Sequence, residues 1–177
     1  FKEEVLEIKF NNKNIADLLE MTLDEAIEFF EQFEEKQVKK IVEKLKPLQE
    51  VGLGYVHLGQ SSNTLSGGEA QRVKLASFLN KKDSADNMLF IFDEPTTGLH
   101  FHDIKKLLKA FNALIAKGHS IIVIEHNPDV IKCADWIVDL GPGGGKHGGP
   151  LVFQGTPEGL VNCKESVTAK YIEEKLR

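Results

Sequence analysis

Apolar residues recur at helical spacing through the first third of the chain. Leu23, Ala26, Ile27, Phe30 and Phe33 fall on one face, and Thr22 with Glu25 three residues on forms a capping box ahead of them. A second helical pattern carries Val38, Ile41, Val42 and Leu45, with Pro47 expected to kink or end it. Before both, residues 5–10 alternate apolar and charged side chains, which predicts a short half-exposed strand. Gly52 and Gly54 then break the periodicity into a loop reaching Thr64.

From Ser66 the pattern changes. Ser66 and Glu69 form another capping box, now with Gly67 and Gly68 at the first helical positions. Glycine disfavours helix by roughly 1 kcal/mol relative to alanine, so a pair of glycines there points to a need for bare backbone. Unobstructed N–H groups at a helix start suit an anion, phosphate above all, although a plain N-cap after a tight turn would read similarly. Residues 88–92 are then continuously apolar, as expected of a strand buried on both faces. A helix with Ile104, Leu107, Leu108, Phe111, Leu114 and Ile115 on one stripe comes next, closed by Lys117-Gly118, and residues 120–124 form a second buried strand. Beyond it come a short helix near 128–133, strands at 136–140 and 151–154, a short helix capped by Thr156-Pro157-Glu158, and a last helix from Ser166. Strands alternating with helices predict an α/β fold with a largely parallel sheet.

Composition narrows the setting without deciding the function. The 177 residues suffice for one well-buried core with room for a small satellite, and 41% hydrophobic with 28% charged residues is ordinary for a globular protein. A net charge of -5 gives no support to a nucleic-acid or membrane role from overall charge. The local cluster Lys36, Lys39, Lys40 and Lys44 reads as a solvated helix face. Cys133 and Cys163 form neither a zinc pattern nor a disulfide framework, which fits a reducing cytosol. No apolar run reaches membrane-spanning length, and the beginning has no signal-peptide layout. The missing initiator methionine is expected if the chain is a piece of something longer.

Three acidic or imidazole side chains stand where open α/β sheets bind ligands, at the C-terminal ends of strands. Asp93 ends the first buried run and suits Mg²⁺, a hard ion taking oxygen ligands. Glu94 can orient an attacking water or accept its proton. His126, at the end of the next strand, can hydrogen-bond a terminal phosphate oxygen. His57, His100, His102, His119 and His147 lack such placement and read as surface or loop residues. The glycine-rich run 141–149 contains Gly145-Lys146, but no Ser or Thr follows the lysine and the glycine spacing is one short of a phosphate loop. It reads as a long hairpin turn. No Gly-x-x-x-x-Gly-Lys-Ser/Thr loop occurs anywhere.

At these residues the chain resembles the ATP-binding-cassette (ABC) superfamily. Leu65 to Gln71 looks like its signature motif, Leu89 to Glu94 its Walker B strand, Thr97 to His100 its D-loop, and His126 its switch histidine. The runs from Gly52-Leu53-Gly54-Tyr55 to Leu58-Gly59-Gln60, from Glu69 to Ala76, from Asp93 to His100, Glu125-His126-Asn127, and from Ala134-Asp135-Trp136 to Gly141-Pro142 are similar to the UvrA family, damage-recognition ATPases of bacterial nucleotide excision repair. The resemblance covers nearly the whole chain.

It implies a partial P-loop NTPase-like ABC ATPase lobe, the C-terminal part of a second cassette. Residues 1–64 would be a strand plus the helical part of a signature subdomain, and residues 65–177 a portion of the ATPase core. Ser66, Gly67, Gly68, Glu69, Gln71 and Gly98 would contact nucleotide, Asp93 would hold magnesium, and Glu94 and His126 would be catalytic. ATP and Mg²⁺ are the implied cofactors, with the family's zinc modules and phosphate loop outside this chain. Implied partners are the rest of UvrA and its other cassette, a second UvrA, UvrB and damaged double-stranded DNA, in a bacterial cytoplasm and not on a membrane. Ser66, Gly67 and Gly68 would then serve a nucleotide held by the other cassette, while Asp93, Glu94 and His126 would serve their own. Alternatives are the nucleotide-binding half of another ABC ATPase, a transporter's or an SMC-like head, or a non-hydrolysing lobe that docks DNA or a partner. Without its phosphate loop the chain alone is expected not to hydrolyse ATP.

Overall fold

The computed structural model describes residues 1–79, 87–141, 143 and 148–176. They fall into two compact units, Phe1–Ile124 and Glu125–Arg177.

The first unit opens with helix α1 (Glu3–Leu6) in place of the expected strand. Glu3 and Glu4 occupy its first turn, where carboxylates complement the helix dipole. Phe10 and Lys13 then pair across Asn11-Asn12, both at positive φ, a tight turn that asparagine tolerates. Helix α2 (Ile15–Glu20) carries a capping box from Asn14 and Asp17. The predicted box at Thr22 opens α3 (Leu23–Glu31): the Glu25 amide donates to Thr22 Oγ1 at 3.2 Å, and the Thr22 amide to Glu25 Oε2 at 2.8 Å.

Helix α4 (Lys36–Glu50) does not stop at Pro47, which is buried inside it. Its end lies at Gly52, φ 79°, where the Gly52 amide reaches the Gln49 carbonyl at 3.0 Å and the Leu53 amide the Leu48 carbonyl at 3.1 Å. That is a Schellman closure, and it needs glycine's left-handed freedom more than it needs a proline break. Val38 and Val42 are buried with Ala26, Ile27 and Phe30, whereas Ile41 is exposed. Lys36, Lys39, Lys40 and Lys44 lie on the solvated face as expected.

Helix α5 (Gly67–Leu79), strand β1 (Leu89–Asp93), helix α6 (Phe101–Ala116) and strand β2 (Ser120–Ile124) complete the unit. β1 and β2 pair in parallel, from Leu89 opposite Ser120 to Asp93 opposite Ile124. Phe90, Phe92, Ile121 and Val123 join a core containing Leu107, Phe111 and Leu114 of α6, with the Phe92 and Phe111 rings 4.9 Å apart. The same core includes Leu23, Val51 and Leu53. The expectation that both strands are buried on two faces is corrected. Leu89, Ile91 (64% exposed), Ile122 (50%) and Ile124 lie open on the opposite face. α6 ends as predicted: Gly118, φ 88°, donates to the Ile115 carbonyl at 2.9 Å and His119 to the Leu114 carbonyl at 3.2 Å. His119 lies in the loop between α6 and β2, as the surface-or-loop reading allowed, but it is buried there, with its Nδ1 accepting the Met88 amide at 3.3 Å just before β1.

The second unit contains α7 (Pro128–Ile131), strands β3 (Ile137–Leu140) and β4 (Leu151–Gly155), α8 (Pro157–Leu160) and α9 (Val167–Leu176). β3 and β4 run antiparallel, so the parallel pairing predicted for the sheet is confined to β1 and β2. The glycine-rich run thus joins two hairpin strands, although Pro142 and residues 144–147, with Lys146 and His147, lie outside the described residues. Thr156 Oγ1 accepts the Gly159 amide, and Ser166 Oγ the Ala169 amide at 3.0 Å, which set the starts of α8 and α9. No helix among the described residues is long and apolar enough to cross a membrane.

Candidate nucleotide site

The start of α5 is built as the capping box requires. The Ser66 amide donates to Glu69 Oε2 at 2.7 Å, and the Glu69 amide to Ser66 Oγ at 3.3 Å. Gly67 and Gly68 sit at the first two helical positions, where amides have no intrahelical acceptor. The two glycines serve different needs. A Cβ on Gly67 would meet nothing within 4 Å, so its backbone faces open space as an anion cradle requires. A Cβ on Gly68 would lie 3.3 Å from Arg72 Nη1 and 3.5 Å from the carbonyl oxygens of Glu94 and Thr97. Gly68 therefore lets α5 approach the turn that leaves β1.

That turn carries the carboxylates. Asp93 ends β1 and is exposed at its C-terminal edge. Glu94 takes φ 45°, unusual for a residue with a side chain, while its amide donates to the Ile124 carbonyl at 2.9 Å and its carbonyl accepts the Thr97 amide at 3.1 Å. A second turn is closed by the Leu99 amide on the Thr96 carbonyl at 3.0 Å, with Gly98 at φ 77°. This is the position of a type II turn that demands glycine.

Gln71, expected to contact nucleotide, turns its amide to Asp93: Nε2 donates to the Asp93 carbonyl at 3.0 Å, and the Asp93 amide donates to Oε1 at 3.2 Å. Glu69 likewise accepts the Tyr55 hydroxyl at 2.6 Å. This bond, then the one from Ser66, holds its carboxyl below the ordinary range. Arg72 is a site-building residue that the motifs do not single out. It is 0% exposed, with Nη1 donating to the Pro95 carbonyl at 2.7 Å and Nη2 to the Tyr55 hydroxyl at 3.2 Å. Helical spacing held the signal: the stripe that buries Gly68, Leu75 and Ala76 also contains position 72.

Ser66, Gly67, Gly68, Glu69, Gln71, Asp93, Glu94 and Gly98 thus belong to one neighbourhood of the first unit. His126 belongs to the second, where it is exposed and its amide donates to Glu125 Oε2 at 2.9 Å. Among the described residues no three His, Cys, Asp or Glu side chains gather into a metal cage. Adjacent carboxylates at a strand end fit Mg²⁺ instead, which is held by one or two carboxylates together with phosphate oxygens.

A family model described as ABC transporter matches residues 2–97, from the first helix through the turn after Asp93. The chain belongs to the ABC ATPase family. Within the ABC ATPases it is 53% identical to UvrABC system protein A of Clostridium perfringens, over 99% of this chain and 18% of that protein. The Aquifex aeolicus protein of the same name is 53% identical over 100% of this chain and 18% of its own length. The crystal structure of UvrA2 from Deinococcus radiodurans superposes with a TM-score of 0.80 and 43% identity, covering all of this chain and 21% of that one. An ATP-bound bacterial Atm1-family ABC exporter, 21% identical with a TM-score of 0.50, shares the fold. The chain spans about a fifth of the length of its UvrA relatives.

Proposed function

We propose that this chain is the C-terminal part of the second ATP-binding cassette of a UvrA-like damage-recognition ATPase acting in bacterial nucleotide excision repair. The observation that carries the reading is the close seating of the glycine start of α5 on the turn bearing Asp93 and Glu94, in a chain so similar to UvrABC system protein A. Bound Mg²⁺ would draw charge from the phosphate oxygens. Asp93 offers it hard carboxylate oxygens, and Glu94 orients water and takes its proton. The Ser66 hydroxyl and the Gly67 amide donate toward the terminal phosphate of a nucleotide held by the other cassette. Residues 1–64 belong functionally with that signature region, and His126 supplies an imidazole donor to a terminal phosphate oxygen.

Two half-sites in one chain tie nucleotide state to contact between cassettes, and through it to the grip on damaged DNA within a UvrA dimer that engages UvrB. The setting is the bacterial cytoplasm. The test uses the whole protein carrying these residues. Glu94→Gln should remove the turnover of the second cassette's site while ATP binding persists, and the 177-residue chain alone should not hydrolyse ATP. Turnover by the isolated chain that disappears with Glu94→Gln would overturn the division into half-sites. DNA binding by the whole protein should weaken steeply with salt; binding indifferent to salt would count against phosphate contacts.

A further inference from the structure

Two neighbouring side chains on α5 grip the backbone on either side of Glu94. Gln71 holds both the N–H and the C=O of Asp93, and Arg72 holds the C=O of Pro95. Between the grips Glu94 sits at φ 45°, a left-handed conformation that costs a side-chain-bearing residue roughly 1–2 kcal/mol. Such a conformation persists only where its surroundings over-determine it. We propose that Gln71 and Arg72 are positioning residues for Glu94, fixing the direction of its carboxylate through the peptide units that flank it.

The cost of placing Arg72 here supports a specific task. Its guanidinium is fully buried and hydrogen-bonds to a carbonyl and a phenol, while Nε has no hydrogen-bond partner among the described residues. Burying a charge this way is expensive, and an apolar side chain would fill the space without that penalty. What an apolar residue cannot do is donate to Pro95. Gln71 has a complementary logic. Glu94 and Met88 direct their backbone groups at β2, through the Glu94 amide to the Ile124 carbonyl and the Ser120 amide to the Met88 carbonyl. By alternation Asp93 directs its own groups away from β2. A carboxamide carries the same donor and acceptor as a peptide, so Gln71 stands in for the neighbouring strand at that residue. The grips come from the helix whose first turn carries Gly67, so α5 sets the Glu94 backbone and the anion-facing glycine as one body.

The proposal rests on the reading that Glu94 acts on nucleotide, and its test separates the two. In the whole protein carrying this chain, Gln71→Ala should lower kcat for ATP hydrolysis on the order of 10- to 100-fold with KM for ATP within about twofold, the pattern of a misplaced catalytic group. Arg72→Lys, which keeps a donor for the Pro95 carbonyl, should retain more turnover than Arg72→Met. Since an Arg72 variant can fail to fold, hydrogen exchange of the half-buried Gln71→Ala variant gives an independent readout. The Asp93 amide should lose its protection while the Phe92 amide keeps it. Unchanged Asp93 protection, or lost protection with kcat intact, would overturn the positioning role. Hydrolysis indifferent to Glu94→Gln would overturn the underlying reading, whatever the exchange data show.

Discussion

The hydroxyl of Tyr55 donates to Glu69 Oε1 at 2.6 Å, tying the loop before α5 to the third residue of that helix. This bond is the leading cause of the lowered Glu69 pKa, with the Ser66 amide second. A carboxyl with a depressed folded-state pKa contributes stability that is full above its unfolded value and is lost as pH falls through the folded one. Tyr55→Phe should therefore bring Glu69 titration back toward its ordinary 4.5 and flatten the loss of stability in acid. Carboxyl NMR titration with melting curves across an acidic pH series measures both. An unmoved Glu69 titration would show that Tyr55 is not the controlling partner.

Gly67 and Gly68 should respond unequally to the same change. Gly67→Ala places a methyl in open space, so helix propensity should raise stability by a few tenths to about 1 kcal/mol. In the whole protein the same methyl should depress nucleotide-dependent activity. Gly68→Ala brings a methyl 3.3 Å from Arg72 Nη1, with the Glu94 and Thr97 carbonyl oxygens at an ordinary contact distance of 3.5 Å, so shifting the guanidinium should cancel part of the propensity gain. Denaturant melts of the two variants side by side decide the matter.

Glu94 should trade stability for chemistry. Glu94→Gly relieves a left-handed backbone and should stabilise the fold by up to about 1 kcal/mol, yet remove the turnover of the second cassette's site in the whole protein. A Glu94→Gly protein less stable than its parent would mean that the side chain itself supports the fold.

The core beneath the sheet sets the stability of the first unit. Leu107 is 0% exposed among Phe92, Phe111 and Leu114, so Leu107→Ala should cost about 2–5 kcal/mol. Ile91→Ala, on the open face of β1, should cost far less, and equal losses from the two changes would contradict the one-sided burial.

The sequence is most legible where local chemistry acts alone. The capping boxes at Thr22 and Ser66, the closure at Gly118 and the proline start of α8 each depend on a few neighbouring residues, and all form as read. Legibility fails where distant residues decide. The alternation in residues 5–10 finds no strand to pair with among the described residues, and Asn11-Asn12 turns the chain instead. Pro47 sits near a helix end that Gly52 controls. The apolar runs of β1 and β2 show that both faces favour burial, but not which face is covered. Of the candidate site, the motif glycines and carboxylates can be read directly. The backbone partners of Gln71 and Arg72 cannot, because they lie 22 and 23 residues away in the chain.

The carboxamide of Gln71 also has a bearing on aggregation. A bare strand edge is a template on which a foreign strand can add. The outward-facing backbone groups of β1 belong to Leu89, Ile91 and Asp93, and the last of these are already occupied. A strand adding to that edge must stop short of Asp93. The carboxylate end of β1 is thereby insulated from β-augmentation, and mispairing is confined to the Leu89 and Ile91 end of the strand.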